Sequence, residues 1–116
     1  MKTFNFIFKI TDIKISRTYG GSNYTAKVYQ IINNEPVLIG EQKACTRGHK
    51  GEESEAFSVI VKNCPNIIKT ISGRAKKVLK TEPNNYYAKN FLKDVKNSGG
   101  YYSWQFRELG LNLRQI

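Results

Sequence analysis

The order of hydrophobic periods predicts an α+β fold: an antiparallel β-meander of about four strands with two or three helices packed on one face. Residues 3–44 alternate apolar and polar with the period of a strand, and residues 52–97 repeat apolar positions at helical spacing. The two patterns do not interleave, which argues against a parallel sheet. With 116 residues and 40% apolar content, the chain is expected to form one domain, residues 1–116, around one core.

Phe4, Phe6, Phe8 and Ile10 alternate with Thr3, Asn5, Lys9 and Thr11, so the first strand buries one face. After Asp12 the apolar positions move to Ile13 and Ile15, the opposite parity. Either a bulge near Thr11 and Asp12 turns the later side chains over, or both faces are partly covered there. Tyr19-Gly20-Gly21-Ser22 is a flexible turn, and residues 24–32 resume a β-branched and aromatic pattern. Asn33-Asn34 tolerates positive φ and suits a tight hairpin. Pro36 fits the loop edge, and Val37-Leu38-Ile39 opens a third strand that runs towards Ala44.

Cys45-Thr-Arg-Gly-His-Lys-Gly51 reads as a basic loop. Glu52, Glu53 and Glu55 then mark a helix N-terminus, where the helix dipole favours carboxylates, and Ala56, Phe57, Ile60 and Val61 form its apolar side. Asn63-Cys64-Pro65-Asn66 ends it, because Pro65 disfavours helical geometry in the residue before it. In the next segment Ile67, Ile68, Ile71, Ala75, Val78 and Leu79 fall within about 120° of arc, while Lys69, Lys76 and Lys80 gather within about 40° on the other side. Lys77 lies just beyond them. Gly73 sits beside this stripe, either as a break with Ser72 capping a shorter helix, or as a place where a partner's backbone comes close. Thr81-Glu82-Pro83 interrupts. Residues 84–97 carry a third stripe of Tyr87, Ala88, Phe91, Leu92 and Val95, with Lys89, Lys93 and Lys96 opposite and Tyr86 beside them. Ser98-Gly99-Gly100 stops that helix, and residues 101–106 alternate again as an expected final strand before a short tail.

Charge is distributed unevenly along this plan. Residues 1–60 carry eight Lys/Arg against six Asp/Glu, whereas residues 61–116 carry eleven against three. Such an excess repels itself in the compact state and projects a positive field over about 8 Å at physiological salt. The simplest partner is a polyanion, RNA, DNA or a nucleoprotein surface, with RNA or a ribonucleoprotein the leading expectation. Lys69, Lys76, Lys77, Lys80, Lys89, Lys93 and Lys96, with Arg74, Arg47 and Lys50, are the candidate contacts, because phosphate binding needs several clustered cations that release counterions together. A solvated helix face is the plainer account of such a stripe, but ordinary solvated faces mix signs and this one hardly does. Tyr86, Tyr19, Tyr101 and Tyr102 are candidates for stacking on bases, beside routine packing, and Trp104 is left open between core and stacking surface. The alternative is a protein-interaction module docking on an acidic surface without nucleic acid.

Catalytic chemistry finds little purchase. Cys45, His49 and Cys64 are the whole Cys/His complement, one ligand short of a structural zinc site, and no orienting acid accompanies a Cys–His pair. The cysteines read as free thiols. No phosphate-loop, dinucleotide or metalloprotease motif occurs. The expectation is therefore a protein that is not an enzyme, with no cofactor, no metal and no small-molecule substrate. No apolar run approaches the roughly 20 residues of a membrane span, and the alternating N-terminus is unlike a signal peptide, so no membrane partner and a cytoplasmic location are expected.

Fourteen Lys, twelve Ile and eleven Asn suggest an AT-rich genome. The element order departs from the helix-first double-stranded RNA-binding pattern, the Gly-x-x-Gly of KH domains is missing, and no aromatic signature of an RNA-recognition motif can be placed. In size, composition, single-domain build and basicity, the chain resembles small phage or mobile-element accessory proteins of the anti-CRISPR kind. That resemblance covers the overall character of the whole chain and no specific residue. It implies an inhibitor that occupies a nucleic-acid channel or binds a guide-loaded, CRISPR-type RNA-guided nuclease.

Overall fold

The computed structural model describes residues 1–15, 21–45, 51–97 and 103–116. Strands β1 (Phe4–Ile15), β2 (Ser22–Ile32) and β3 (Glu35–Cys45) are followed by helices α1 (Glu52–Asn63), α2 (Pro65–Thr81) and α3 (Tyr86–Lys96). A 3-10 helix (Ser103–Leu109) and a strand β4 (Leu111–Gln115) complete the chain. The sheet order is β3-β2-β1-β4, with antiparallel pairing among the first three strands and parallel pairing of β4 with β1. The fold is α+β, as the segregated periods predict, but its sheet is mixed.

The meander follows its local signals. Asn33 and Asn34 have φ of 52° and 64°, the two consecutive positive angles that match a tight hairpin to strand twist. Asp12, at φ 55°, lies in the register shift between Thr11 and Lys14, so the parity change in β1 is a bulge. The side chains beyond it are not covered: Ile13 is 64% and Ile15 84% exposed. Pro36 lies inside β3, which tolerates it as an edge strand.

The end of the chain corrects the sequence reading. Residues 103–106 of the expected final strand are in the 3-10 helix, and residues 101 and 102 lie outside the described residues. Phe106 and Leu109, both buried, are three apart, which matches one turn of a 3-10 helix. Gly110, at φ +91°, then turns the chain into β4, a stretch that reads as a tail when taken alone. Its parallel pairing has a topological reason. β3 and β4 run in the same direction on opposite edges of the sheet, and α1, α2, α3 and the 3-10 helix lie in the long crossover that such strands need.

Phe6, Phe8, Val28, Leu111 and Leu113 supply the sheet side of the core; Ala56, Phe57, Val59 and Ile60 of α1 supply the facing side. α1 lies on the sheet, chiefly over β3 and β2, whereas α2 and α3 pack on each other, on α1 and on the 3-10 helix. Two hydrogen bonds tie the first turn of α1 to both edge strands: Gln42 of β3 donates to Glu55, and Gln115 of β4 donates to Glu52 at 3.0 Å. Lys62 also donates to Gln42 at 3.2 Å. The early glutamates of α1 therefore serve both the dipole and the sheet.

Candidate nucleic-acid interface

Pro65 is the first residue of α2, where its missing N–H is no loss. One residue thus ends α1 and begins α2. Ile68, Ile71 and Ala75 are buried, and α2 continues through Gly73 to Thr81 without the break considered above. In α3, Asn85 caps the N-terminus by accepting from the Ala88 amide at 3.0 Å. Ala88 and Phe91 are the buried pair of that helix. The Phe91 ring meets Phe106 at 5.1 Å and Phe57 at 6.1 Å, both edge-on, the arrangement aromatic quadrupoles favour.

Fixing these inward faces decides what turns outward. Lys69, Lys76, Lys77 and Lys80 of α2 and Lys89, Lys93 and Lys96 of α3 are all exposed. Because α2 and α3 pack on each other, one helix pair carries all seven. Residues 65–97 hold only two carboxylates, Glu82 at the C-cap of α2 and the half-buried Asp94. Burial pushes the Asp94 carboxyl up from its ordinary range, with Lys93 pulling the other way. Lys80, Lys93 and Lys96 lie in last turns, where they also complement the helix dipoles. The remaining four have no such local duty. Gly73 is exposed within the α2 stripe, and a Cβ added there would meet nothing within 4 Å. The gap opens to solvent.

Arg74 is half-buried and engaged within the fold. Its guanidinium donates to the Leu109 carbonyl at 2.9 Å and lies over the Phe4 ring at 5.6 Å. It pins the turn before β4 to α2 and β1. Its side chain reaches the 3-10 helix, a role that charge type alone does not reveal. Tyr86 is 57% exposed, with its ring edge-on to Tyr87 at 6.4 Å. It stands at the start of α3, near Lys89 and remote from Lys96 along the helix. Arg47, Lys50, His49, Tyr19, Tyr101 and Tyr102 lie outside the described residues.

A second basic surface escaped the sequence reading. The face of the sheet away from the helices carries Lys9, Lys14, Lys27, Lys43 and Arg114, with Glu41 between them. The signal was present as the polar parity of the same strands that place Phe6, Phe8 and Val28 in the core.

Elsewhere, burial pushes the Tyr24 hydroxyl up to about 12, reinforced by Glu55, Glu52 and Cys45. Burial likewise pushes the Cys64 thiol up, which makes it less nucleophilic. An open depression of about 680 Å³ lies beside Tyr24, Lys14, Lys43 and Cys45 at the end of the sheet. Glu52 and Glu55 accept hydrogen bonds from Gln115 and Gln42. Among the described residues, no helix is long and apolar enough to cross a membrane.

No family model and no curated protein matches the chain. Among solved structures, a Ppx/GppA family member from Aquifex aeolicus aligns over 98% of this chain and 35% of its own, at 15% identity and a TM-score of 0.22. A likeness that weak says nothing of fold or function.

Proposed function

We propose that this protein is a non-catalytic binder of RNA, or of a protein–RNA complex, that engages its partner through the lysine face of α2 and α3. One observation carries the reading: seven exposed lysines stand on one packed helix pair that has only Glu82 and Asp94 to balance them. Compact cations on flexible stems suit phosphates, which they meet as point charges and without base selection. Such a surface inhibits by occupancy. In the cytoplasm it would compete for the guide RNA of a CRISPR-type nuclease, or sit on the guide-loaded nuclease itself, and neither act needs catalysis.

The test is affinity for single-stranded RNA across salt concentration. Neutralising about five phosphates on the helical face alone contributes about −3.5 to the slope of log K against log salt. Exchange of Lys76, Lys80, Lys89 and Lys93 for Glu should strongly weaken binding. A flat salt response would replace RNA with an acidic protein partner, and unchanged binding by the charge-reversed protein would move the site off the helices.

A further inference from the structure

We infer that the sheet face opposite the helices is a second contact surface, built to hold single-stranded RNA with Tyr29 stacking on a base. The inference shares the ligand class of the proposed function but rests on a different surface.

Its geometry follows from register. Across β1, β2 and β3, the outward rows are Ile7–Tyr29–Leu38, then Lys9–Lys27–Glu41, then Thr11–Thr25–Lys43. Arg114 of β4 flanks Ile7. Successive rows lie about 7 Å apart along the strands, and neighbours within a row are about 5 Å apart. Lys9 directly opposite Lys27 is unfavourable for folding, since like charges paired across strands destabilise a sheet. The adjoining row offers the complementary element, an aromatic ring between Ile7 and the 54% exposed Leu38. Tyr29, Ile7 and Lys27 are half-buried, so their side chains are partly ordered before any partner arrives. Cations beside a flat aromatic and apolar strip meet the two needs of an unpaired strand, neutralised phosphates and a stacking surface.

Charge selects the occupant. A second copy docked on this face would set Lys9, Lys27 and Arg114 against cations of the same sign, with Glu41 as the one carboxylate in the three rows. A duplex keeps its bases stacked inside and cannot use the Tyr29 ring.

The experiment measures anisotropy of labelled oligouridylate and of a duplex RNA of equal length, with wild-type protein, Tyr29→Ala, Tyr29→Phe and the double variant Lys9→Gln/Lys27→Gln. Tyr29→Ala should weaken oligouridylate binding between about 5-fold and about 150-fold and leave duplex binding unchanged, while Tyr29→Phe retains affinity. The lysine double variant should make the single-strand salt slope shallower by about 1.4, and this arm decides the matter if Tyr29→Ala does not fold. Unchanged oligouridylate binding by folded Tyr29→Ala overturns the inference, as does equal loss for the duplex. A wild-type dimer that Tyr29→Ala dissociates overturns it too, by placing a second copy on the face. Loss with Lys76, Lys80, Lys89 and Lys93 exchanged for Gln, but not with the sheet variants, would remove this surface and keep the helical one; the reverse would do the opposite.

Discussion

The outward faces of the helix pair and of the sheet are both basic, but they hold their charge differently. On α2 and α3 the lysines stand on solvent-exposed positions of a helical surface, with the exposed Tyr86 near Lys89. On the sheet, Lys9 and Lys27 are set side by side by strand register, next to a row containing Tyr29. The first arrangement supplies a field and mobile point charges. The second adds a ring in the row adjoining its cations. Net charge therefore describes both surfaces equally while separating nothing about what they can recognise. Recognition depends on what stands between the charges, and the backbone decides that.

Several substitutions would break or sharpen this contrast, and the largest effect is expected from the core beneath the helices. Phe91→Ala removes the ring that docks α3 on Phe57 and Phe106, and should cost about 3–5 kcal/mol in chemical denaturation. If the helical lysines act as one surface, polyanion binding near the unfolding midpoint should fall with the helix docking. Arg74→Met tests whether charge or position matters. Loss of its bond to the Leu109 carbonyl should lower stability by about 1.5–3 kcal/mol, with RNA affinity of the folded protein unchanged. Gly110→Ala attacks the same joint, because an added Cβ would collide with the Arg74 guanidinium and come within 3.0 Å of the Lys2 carbonyl.

Smaller effects bear on the lysine surface itself. Gly73→Ala should stabilise α2 by about 1 kcal/mol, since the site is helical, exposed and open. A simultaneous loss of RNA affinity would show that the partner backbone approaches at Gly73; unchanged affinity would leave the glycine without a binding role. Asp94→Asn should change stability least, by under about 0.5 kcal/mol. Its raised folded pKa means that the fold favours the neutral carboxyl, so the Asp94 contribution is complete below the ordinary carboxylate value and is lost as pH rises through the folded one. The variant should therefore melt slightly higher than wild type at neutral pH and equal it in acid.

Much of this architecture was legible because its signals are local. Parity placed β1, Asn33-Asn34 announced the hairpin, and Pro65 divided α1 from α2. β4 was not legible, because Leu111 and Leu113 become a strand only by pairing with Phe4 and Phe6, more than a hundred residues earlier. Aromatic alternation in residues 101–106 looked like the stronger strand, yet Phe106 and Leu109 share a 3-10 face. The seven helical lysines were readable from the wheel, whereas Arg74 was not excluded, since its acceptor at Leu109 belongs to a distant segment. The sheet surface needed cross-strand register, which places Lys9 beside Lys27 only once the hairpins are formed.

The measurement that bears most directly on the helical surface is the salt slope of single-stranded RNA binding, compared between wild type and Lys76→Gln/Lys80→Gln/Lys89→Gln/Lys93→Gln. With those four cations in contact with phosphates, the variant should bind more weakly with a slope shallower by about 2.8. An identical slope in the two proteins would contradict it, because the charges that meet RNA would then lie elsewhere.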